Sequence, residues 1–96
     1  MQLRSDRRNM PEIFYSLLNA IREEKLRNGR VVLTRIQHRT NIAYSRMSRY
    51  LKEMQNFGFI TEGNCLDITE KGHDYFIDYS KINDLISRTK KKYFRR

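Results

Sequence analysis

Apolar residues recur at three- and four-residue spacing early in the chain, and this pattern predicts an amphipathic helix. The helix should begin near Pro11, whose missing N–H is not needed in a first turn, and end at Asn28-Gly29. Residues 30–33 are rich in β-branched side chains and predict one short strand. Thr34 would then cap a second helix that ends near Thr40. The first helix is expected to be scaffold, with these inward residues: Ile13, Phe14, Leu17, Leu18, Ile21 and Leu26.

Residues 34–58 predict two short helices that meet at a turn formed by Asn41-Ile42. The second of these helices should cover about residues 44–57 and end at Gly58, a residue suited to a left-handed cap. Ile36 faces inward on the first helix, and on the second the inward residues should be Met47, Tyr50, Leu51 and Met54. The opposite face would carry hydroxyl and cationic groups without a carboxylate, from Tyr44, Ser45, Arg46, Ser48, Arg49 and Lys52. Such a face fits a DNA groove, or else it only keeps the protein in solution.

Two extended runs, residues 59–61 and 65–68, flank Glu62-Gly63-Asn64 and predict a β-hairpin. Ile60, Leu66 and Ile68 would face inward from it. Helix, strand, helix, helix and hairpin in this order predict a mainly α fold with a small β-hairpin, the winged helix-turn-helix, in which the hairpin is the wing. Cys65 is expected to be a small buried residue beside the wing, with a disulfide between two subunits as the alternative.

Thr69 should open a long last helix that carries a heptad stripe. The stripe residues are spaced 4, 3, 4, 3 and 4 apart and are flanked by Phe76 and Leu85; they are Tyr75, Tyr79, Ile82, Ile86, Thr89 and Tyr93. A helix of roughly twenty residues spans about 30 Å, which is longer than so small a domain can cover. A second copy of the helix would cover it in a coiled-coil homodimer; alternatively the helix folds back or frays after Ser87. The chain would thus divide into a flexible basic arm (1–10, with Arg4, Arg7 and Arg8), a winged-helix domain (11–72) and a dimerisation helix with a basic tail (73–96).

Charge is distributed in blocks along the 96 residues, whose net charge is +9. Residues 31–52 carry +5, residues 53–80 carry −5 and residues 81–96 carry +6. A polyanion is the natural partner of the basic blocks, since neutralised phosphates release counterions. His38 and His73 lack companion ligands, and no set of catalytic residues or phosphate loop is recognisable, so we expect no metal, no cofactor and no enzyme. No apolar run is long enough to span a membrane and no signal peptide is recognisable, so we expect a cytoplasmic, nucleoid-associated protein.

The central segment resembles winged-helix regulators of the multiple-antibiotic-resistance-regulator type. The matching residues are Ile42-Ala43, residues 45–51, Gly58-Phe59-Ile60 and residues 66–72. Over nearly the whole chain the sequence looks closer to small archaeal winged-helix chromatin proteins, which are basic dimers joined through a long C-terminal helix. That likeness is carried by Thr34-Arg35-Ile36, Asn41-Ile42, Arg49-Tyr50 and the stretch from Thr69 to Gly72.

The resemblance implies binding of double-stranded DNA, with the helix over residues 44–57 in the major groove. Arg35, Arg39 and Asn64 are expected to add contacts on the flanks. Two features depart from the family pattern: Glu62 lies where the wing often has a cation, and the tail KKKYFRR is unusually basic. The sequence therefore favours a homodimeric, sequence-dependent transcription regulator. A non-specific chromatin-type DNA-binding protein and a protein-interaction module remain alternatives. RNA binding is disfavoured because the sequence lacks the paired aromatic residues of a base-stacking sheet. Whether a small-molecule effector binds is left open.

Overall fold

The computed structural model describes residues 9–61, 63 and 65–95 of the chain. The elements are α1 (Met10–Asn28), α2 (Leu33–Thr40), α3 (Tyr44–Phe57) and α4 (Glu70–Tyr93). The expected basic arm with Arg4, Arg7 and Arg8, the wing residues Glu62 and Asn64, and the terminal Arg96 lie outside the described residues.

Helix α1 is the element against which the other three pack. Its start is fixed by the Asn9 side chain, which accepts a hydrogen bond from the Glu12 amide at 3.0 Å, and its end by Gly29, whose φ is 76°. The predicted inward residues are buried with one exception, Leu26, which is 69% exposed. That prediction was wrong because the inward position of the last turns belongs to Glu24, a buried carboxylate.

Helices α2 and α3 form the predicted helix-turn-helix, and α3 has the predicted bounds. Asn41 makes the corner in a left-handed conformation (φ 58°), which Asn adopts more readily than most residues because its short side chain bonds locally. Of the predicted inward residues, Ile36, Met47, Leu51 and Met54 are buried in the core, and Tyr50 is partly buried and packs against it. Ile42 at the corner is buried as well. Gly58 ends α3 with φ 84°, as the sequence indicated.

The strand predicted over residues 30–33 is absent from the described part of the chain, and Leu33 already belongs to α2. Val32, not Thr34, is the N-cap, because the Val32 carbonyl accepts hydrogen bonds from the amides of Arg35 and Ile36. No neighbouring strand is present among residues 9–61 to pair with the β-branched run, so the local preference does not produce a strand.

The hairpin prediction was also wrong for the described residues, where one antiparallel bridge between Ile60 and Ile68 replaces two strands. The reason lies in Thr61. Its hydroxyl donates to the Cys65 carbonyl at 2.9 Å and accepts from the Asp67 amide at 3.0 Å. The Thr61 side chain thus bonds to two backbone groups that would otherwise pair between the two strands of a hairpin. Ile60 is nevertheless buried, and Leu66 and Ile68 pack against the core as expected. Cys65 is exposed, contrary to expectation.

The segment from Thr69 to Gly72 joins the end of α3 to the start of α4. The Thr69 hydroxyl caps α4 by accepting from the Gly72 amide at 3.0 Å, and it also donates to the Gly58 carbonyl. Lys71 donates to the Phe57 carbonyl at 2.6 Å. Gly72 is buried because the Phe59 carbonyl lies against its Cα; a Cβ there would stand 2.1 Å from that oxygen. Thr69, Lys71 and Gly72 therefore each have a contact that explains their residue type.

The first half of α4 packs on α1, and the second half projects from the domain. Tyr15 stacks on Phe76 and contacts Tyr79, with ring centroids 5.0 Å apart in both pairs, and the Tyr75 hydroxyl donates to the Pro11 carbonyl at 2.7 Å. Burial raises the pKa of Tyr75. Residues 81–95 are all exposed, and the helix is continuous to Tyr93, so it neither folds back nor ends after Ser87. The projecting part extends about 20 Å beyond Ser80.

Candidate nucleic-acid interface

The outer face of α3 is polar and basic because Met47, Leu51 and Met54 turn the apolar side of this helix toward the core. Met47, Leu51 and Met54 are buried at 3- and 4-residue spacing. The outer face is formed by the other side chains of residues 44–52 and carries no carboxylate, while the next residue, Glu53, is partly buried. Tyr44, Ser45, Ser48, Arg49 and Lys52 are exposed, and Arg46 is partly buried.

Arg49 is held at this face by the ring of Tyr50, with the guanidinium carbon 5.7 Å from the ring centroid. Tyr50 is itself fixed by an edge-on contact with the core residue Phe14, at 6.4 Å between centroids. A cation over an aromatic face is attracted by the ring quadrupole. The core thus orients Arg49 through one aromatic intermediate, while its donors stay exposed to a ligand.

The amino-terminal ends of α2 and α3 have no side-chain cap and no acidic residue in the first turn. In contrast, α1 and α4 each have a capping side chain and a glutamate in the first turn. Uncapped amides at a helix start attract anions. The two helices of the helix-turn-helix therefore present positive amino-terminal ends. A groove of about 280 Å³ lies between the end of α2 and the start of α3, and it is lined by Gln37, His38, Asn41, Ile42 and Ala43.

A buried carboxylate connects α1 to the basic side of α2. Glu24 is 1% exposed and accepts from Arg39 Nε at 2.6 Å and from Asn28 Nδ2 at 2.9 Å, while Arg35 lies 3.6 Å away. The hydrogen bond from Arg39 holds the pKa of Glu24 below its usual range. Of the two arginines predicted to flank the DNA, Arg39 is thus committed to Glu24 and has a 31% exposed side chain, whereas Arg35 is 54% exposed.

Sequence reasoning missed Glu24, although one signal was available. Leu17, Ile21 and Glu24 follow one another at helical spacing, so a carboxylate lies on the buried stripe of α1. A charge on such a stripe requires a partner. Its identity could not be deduced, because Arg39 is 15 positions further along the chain.

The other predicted residues that the structure describes belong to α4. Asn64 is outside the described residues, but the neighbouring Asp67 is tied to α1 by an ion pair with Lys25 at 3.3 Å. The tail adds a separate group of exposed cations at the far end of α4: Arg88, Lys90, Lys91, Lys92 and Arg95. Of the stripe residues expected to mediate dimerisation, Tyr75 and Tyr79 are partly buried on their own domain, while Ile82, Ile86 and Tyr93 are 49–66% exposed.

A helix-turn-helix whose second helix exposes a basic face is the architecture of a DNA-binding domain. A family model described as winged helix-turn-helix matches residues 7–87, and the chain belongs to that family. Domains of this family bind DNA and are typically not enzymes. No curated protein and no solved structure matches the chain. Within the described residues, no helix combines the length and apolarity needed to cross a bilayer, and no group of side chains could hold a metal ion.

Proposed function

We propose that this protein is a homodimeric, sequence-dependent regulator of transcription that inserts α3 into the major groove of double-stranded DNA. The observation that carries the proposal is the outer face of α3, which is exposed, basic and free of carboxylates over residues 44–52. A major groove admits one helix, and base edges there are distinguishable by their donors and acceptors. We infer the corresponding division into a DNA-binding domain (11–72) and a dimerisation helix (73–96).

The residues of the α3 face would take different roles. Arg49, oriented by Tyr50, is suited to a bidentate contact with guanine, and Ser45, Ser48 and Lys52 to phosphates. Arg46 lies on the same face three positions before Arg49 and would reach a neighbouring base or phosphate. Tyr44, 46% exposed at the start of the helix, would stack on a base or contact a thymine methyl. Arg35 would reach the flanking backbone, with Arg39 holding α2 in place through Glu24.

Dimerisation is supported by the second half of α4. Ile82, Leu85 and Ile86 are each 49–58% exposed on a helix that its own domain does not cover. Apolar stripes of this kind are usually buried by another helix. A dimer would offer two α3 helices to one duplex, and half-sites one turn apart would be about 34 Å apart.

A second candidate, non-specific DNA binding of the chromatin type, is favoured by the basic tail. Arg88, Lys90, Lys91 and Lys92 are exposed and lie far from α3. Such cations bind phosphates without reading sequence. A protection footprint on genomic fragments separates the two candidates: a sequence-dependent regulator protects discrete sites with two-fold symmetry, and a chromatin-type protein protects DNA evenly.

Salt-titrated binding to a duplex tests the role of α3. The variant Arg49→Ala, Lys52→Ala should bind about tenfold or more weakly. If Arg49 contacts guanine and Lys52 a phosphate, the dependence of log affinity on log salt should become shallower by about one, and preference at one base step should relax. A slope that is shallower by about two, with unchanged sequence preference, would assign Arg49 to a phosphate as well. The control Arg27→Ala, Lys81→Ala removes the same charge from exposed positions off the face and should bind as the parent does. Full affinity in the α3 variant would exclude this helix from the interface, and salt-independent binding would favour a protein-interaction module.

A further inference from the structure

The carboxyl-terminal end of α4 carries cations and aromatic rings together. Residues 88–95 contain five cations, two aromatic residues and no acidic residue. All of them are exposed, and Tyr93 and Phe94, at 66% and 74%, are the most exposed aromatic side chains of the described residues. None of the five cations forms an ion pair with a carboxylate in the described part of the chain. We call this region the tail surface; it begins about 12 Å beyond Ser80, whose hydroxyl is still hydrogen-bonded to Tyr15 of α1.

The helix dipole explains only part of this composition. Cations in the last turn of a helix interact favourably with its carboxyl-terminal end, and Lys90, Lys91 and Lys92 lie there. Arg88 lies four positions before Lys92, however, and like charges at this spacing repel each other. The dipole also gives no reason for two apolar rings in water. An anionic ligand with flat apolar faces would reduce the repulsion and cover the rings.

Each ring has a lysine beside it. Lys90 precedes Tyr93 by three positions and Phe94 by four, so it lies on the same face of the helix, one turn behind both rings. Phe94 ends the helix with a φ of −115°, and its amide still donates to the Lys90 carbonyl at 2.9 Å, which holds its backbone against the last turn. The Lys92 ammonium lies 5.3 Å from the centroid of the Tyr93 ring. The tail surface therefore offers positions for phosphates directly next to positions for bases.

This combination fits a single strand better than a duplex. Single-stranded nucleic acids bind surfaces on which cations follow the backbone and bases stack on aromatic side chains. The bases of a duplex are stacked on each other, so a duplex would use the cations and leave both rings uncovered. Recognition of RNA as such relies on its 2′-hydroxyl. The hydroxyl of Thr89, within the tail surface, is already engaged as a donor to the Leu85 carbonyl at 2.8 Å, so the ligand class that fits is single-stranded DNA.

We propose that the tail surface is a second nucleic-acid site, which binds single-stranded DNA by stacking bases on Tyr93 and Phe94 while the neighbouring cations hold phosphates. The site is independent of the duplex contact assigned to α3. It also lies beyond Ile82, Leu85 and Ile86, the residues that support dimerisation. One molecule would then hold a closed duplex with α3 and an opened strand with the tail surface.

Affinity for a fluorescently labelled strand of thymidines, measured by anisotropy on the whole chain, tests the stacking. The double variant Tyr93→Leu, Phe94→Leu keeps apolar side chains but loses both rings, and it should bind the strand about tenfold or more weakly. Its affinity for a duplex should equal that of the parent. The matched control Tyr93→Phe, Phe94→Tyr keeps two rings and should bind the strand as the parent does. A leucine variant with parental affinity for the strand, or an equal loss for the duplex, overturns the inference, whereas the role of α3 is tested separately by its own variant.

Tryptophan fluorescence reports the contact itself, because the sequence has no tryptophan. Phe94→Trp places a single indole on the tail surface, and base stacking should quench its fluorescence when the strand is added. A duplex should quench it much less, and Leu26→Trp, at a 69% exposed position on α1, should not respond to the strand. No quenching at a saturating strand concentration, or equal quenching by the duplex, overturns the stacking. An RNA strand of the same length that binds clearly tighter would overturn the choice of DNA.

The salt dependence of strand binding tests the phosphate contact. Lys90→Ala should make the dependence of log affinity on log salt shallower by about 0.7, the value for one phosphate of a single strand. Lys81→Ala removes the same charge from an exposed position before the tail surface and should leave the slope unchanged. An unchanged slope in the Lys90 variant removes that lysine from the site and overturns the proposed arrangement.

Discussion

Replacing Thr69 by alanine should destabilise the protein, because one hydroxyl serves two helices. It accepts from the Gly72 amide at 3.0 Å to cap α4, and it donates to the Gly58 carbonyl at the end of α3. Loss of an N-cap costs about 1 kcal/mol, and loss of a net hydrogen bond costs about 1 kcal/mol more. The expected loss in the free energy of unfolding is therefore about 2 kcal/mol. For a domain of this size that corresponds to a fall of roughly 8–16 °C in Tm.

Urea unfolding followed by circular dichroism measures this loss. The midpoint should fall while the m-value stays constant, because the extent of surface exposed on unfolding does not change. The protein concentration must be held fixed, since a dimer gains stability by mass action. Thr69→Ser is the matched control: it keeps the hydroxyl, and it should lose less than about 0.5 kcal/mol. A serine variant as unstable as the alanine variant would refute the assignment to the two hydrogen bonds, as would an alanine variant with the parental midpoint.

Substitutions at three further positions test other parts of the structure. Gly72→Ala would place a Cβ 2.1 Å from the Phe59 carbonyl oxygen. The cost of overpacking, about 1–3 kcal/mol, should exceed the gain of about 1 kcal/mol in helix propensity, so the urea midpoint should fall. An unchanged or higher midpoint would contradict the close contact. Asn41→Val should lose about 1–2 kcal/mol because Asn41 has a φ of 58°, whereas Asn41→Gly should not, and equal midpoints would rule out backbone strain. The folded pKa of Glu24 is lowered, so the stability it contributes is complete above its unfolded pKa and is lost as the pH falls through its folded pKa. Glu24→Gln should therefore lower the urea midpoint at pH 7 and flatten the fall of that midpoint below about pH 4. A variant whose urea midpoint falls with pH in parallel with that of the parent would contradict this.

The sequence predicted the helices well where local chemistry sets their ends. Gly29, Asn41 and Gly58 all adopt left-handed conformations at helix ends, and Thr69 caps α4 as expected. The spacing of Met47, Leu51 and Met54 also identified the buried face of α3, and with it the outer face. These features depend on residues within a few positions of one another, so a single sequence contains them.

The features that were missed depend on partners distant in the sequence or on competing side chains. The β-branched run at residues 30–33 has no strand beside it among the described residues. Thr61 redirects the hydrogen bonds of the expected hairpin to its own hydroxyl. Glu24 is buried because Arg39 pairs with it from another helix. The α3 face could thus be predicted, but the support beneath it could not.

The central claim, that α3 contacts DNA, is tested most directly by titrating the labelled protein with a duplex and following each backbone amide by nuclear magnetic resonance. We predict that the largest changes in chemical shift fall at residues 44–52 and at the start of α2, with smaller ones at the tail. Changes confined to residues 88–95, with the amides of Ser45, Ser48, Arg49 and Lys52 unmoved at saturating DNA, would contradict it.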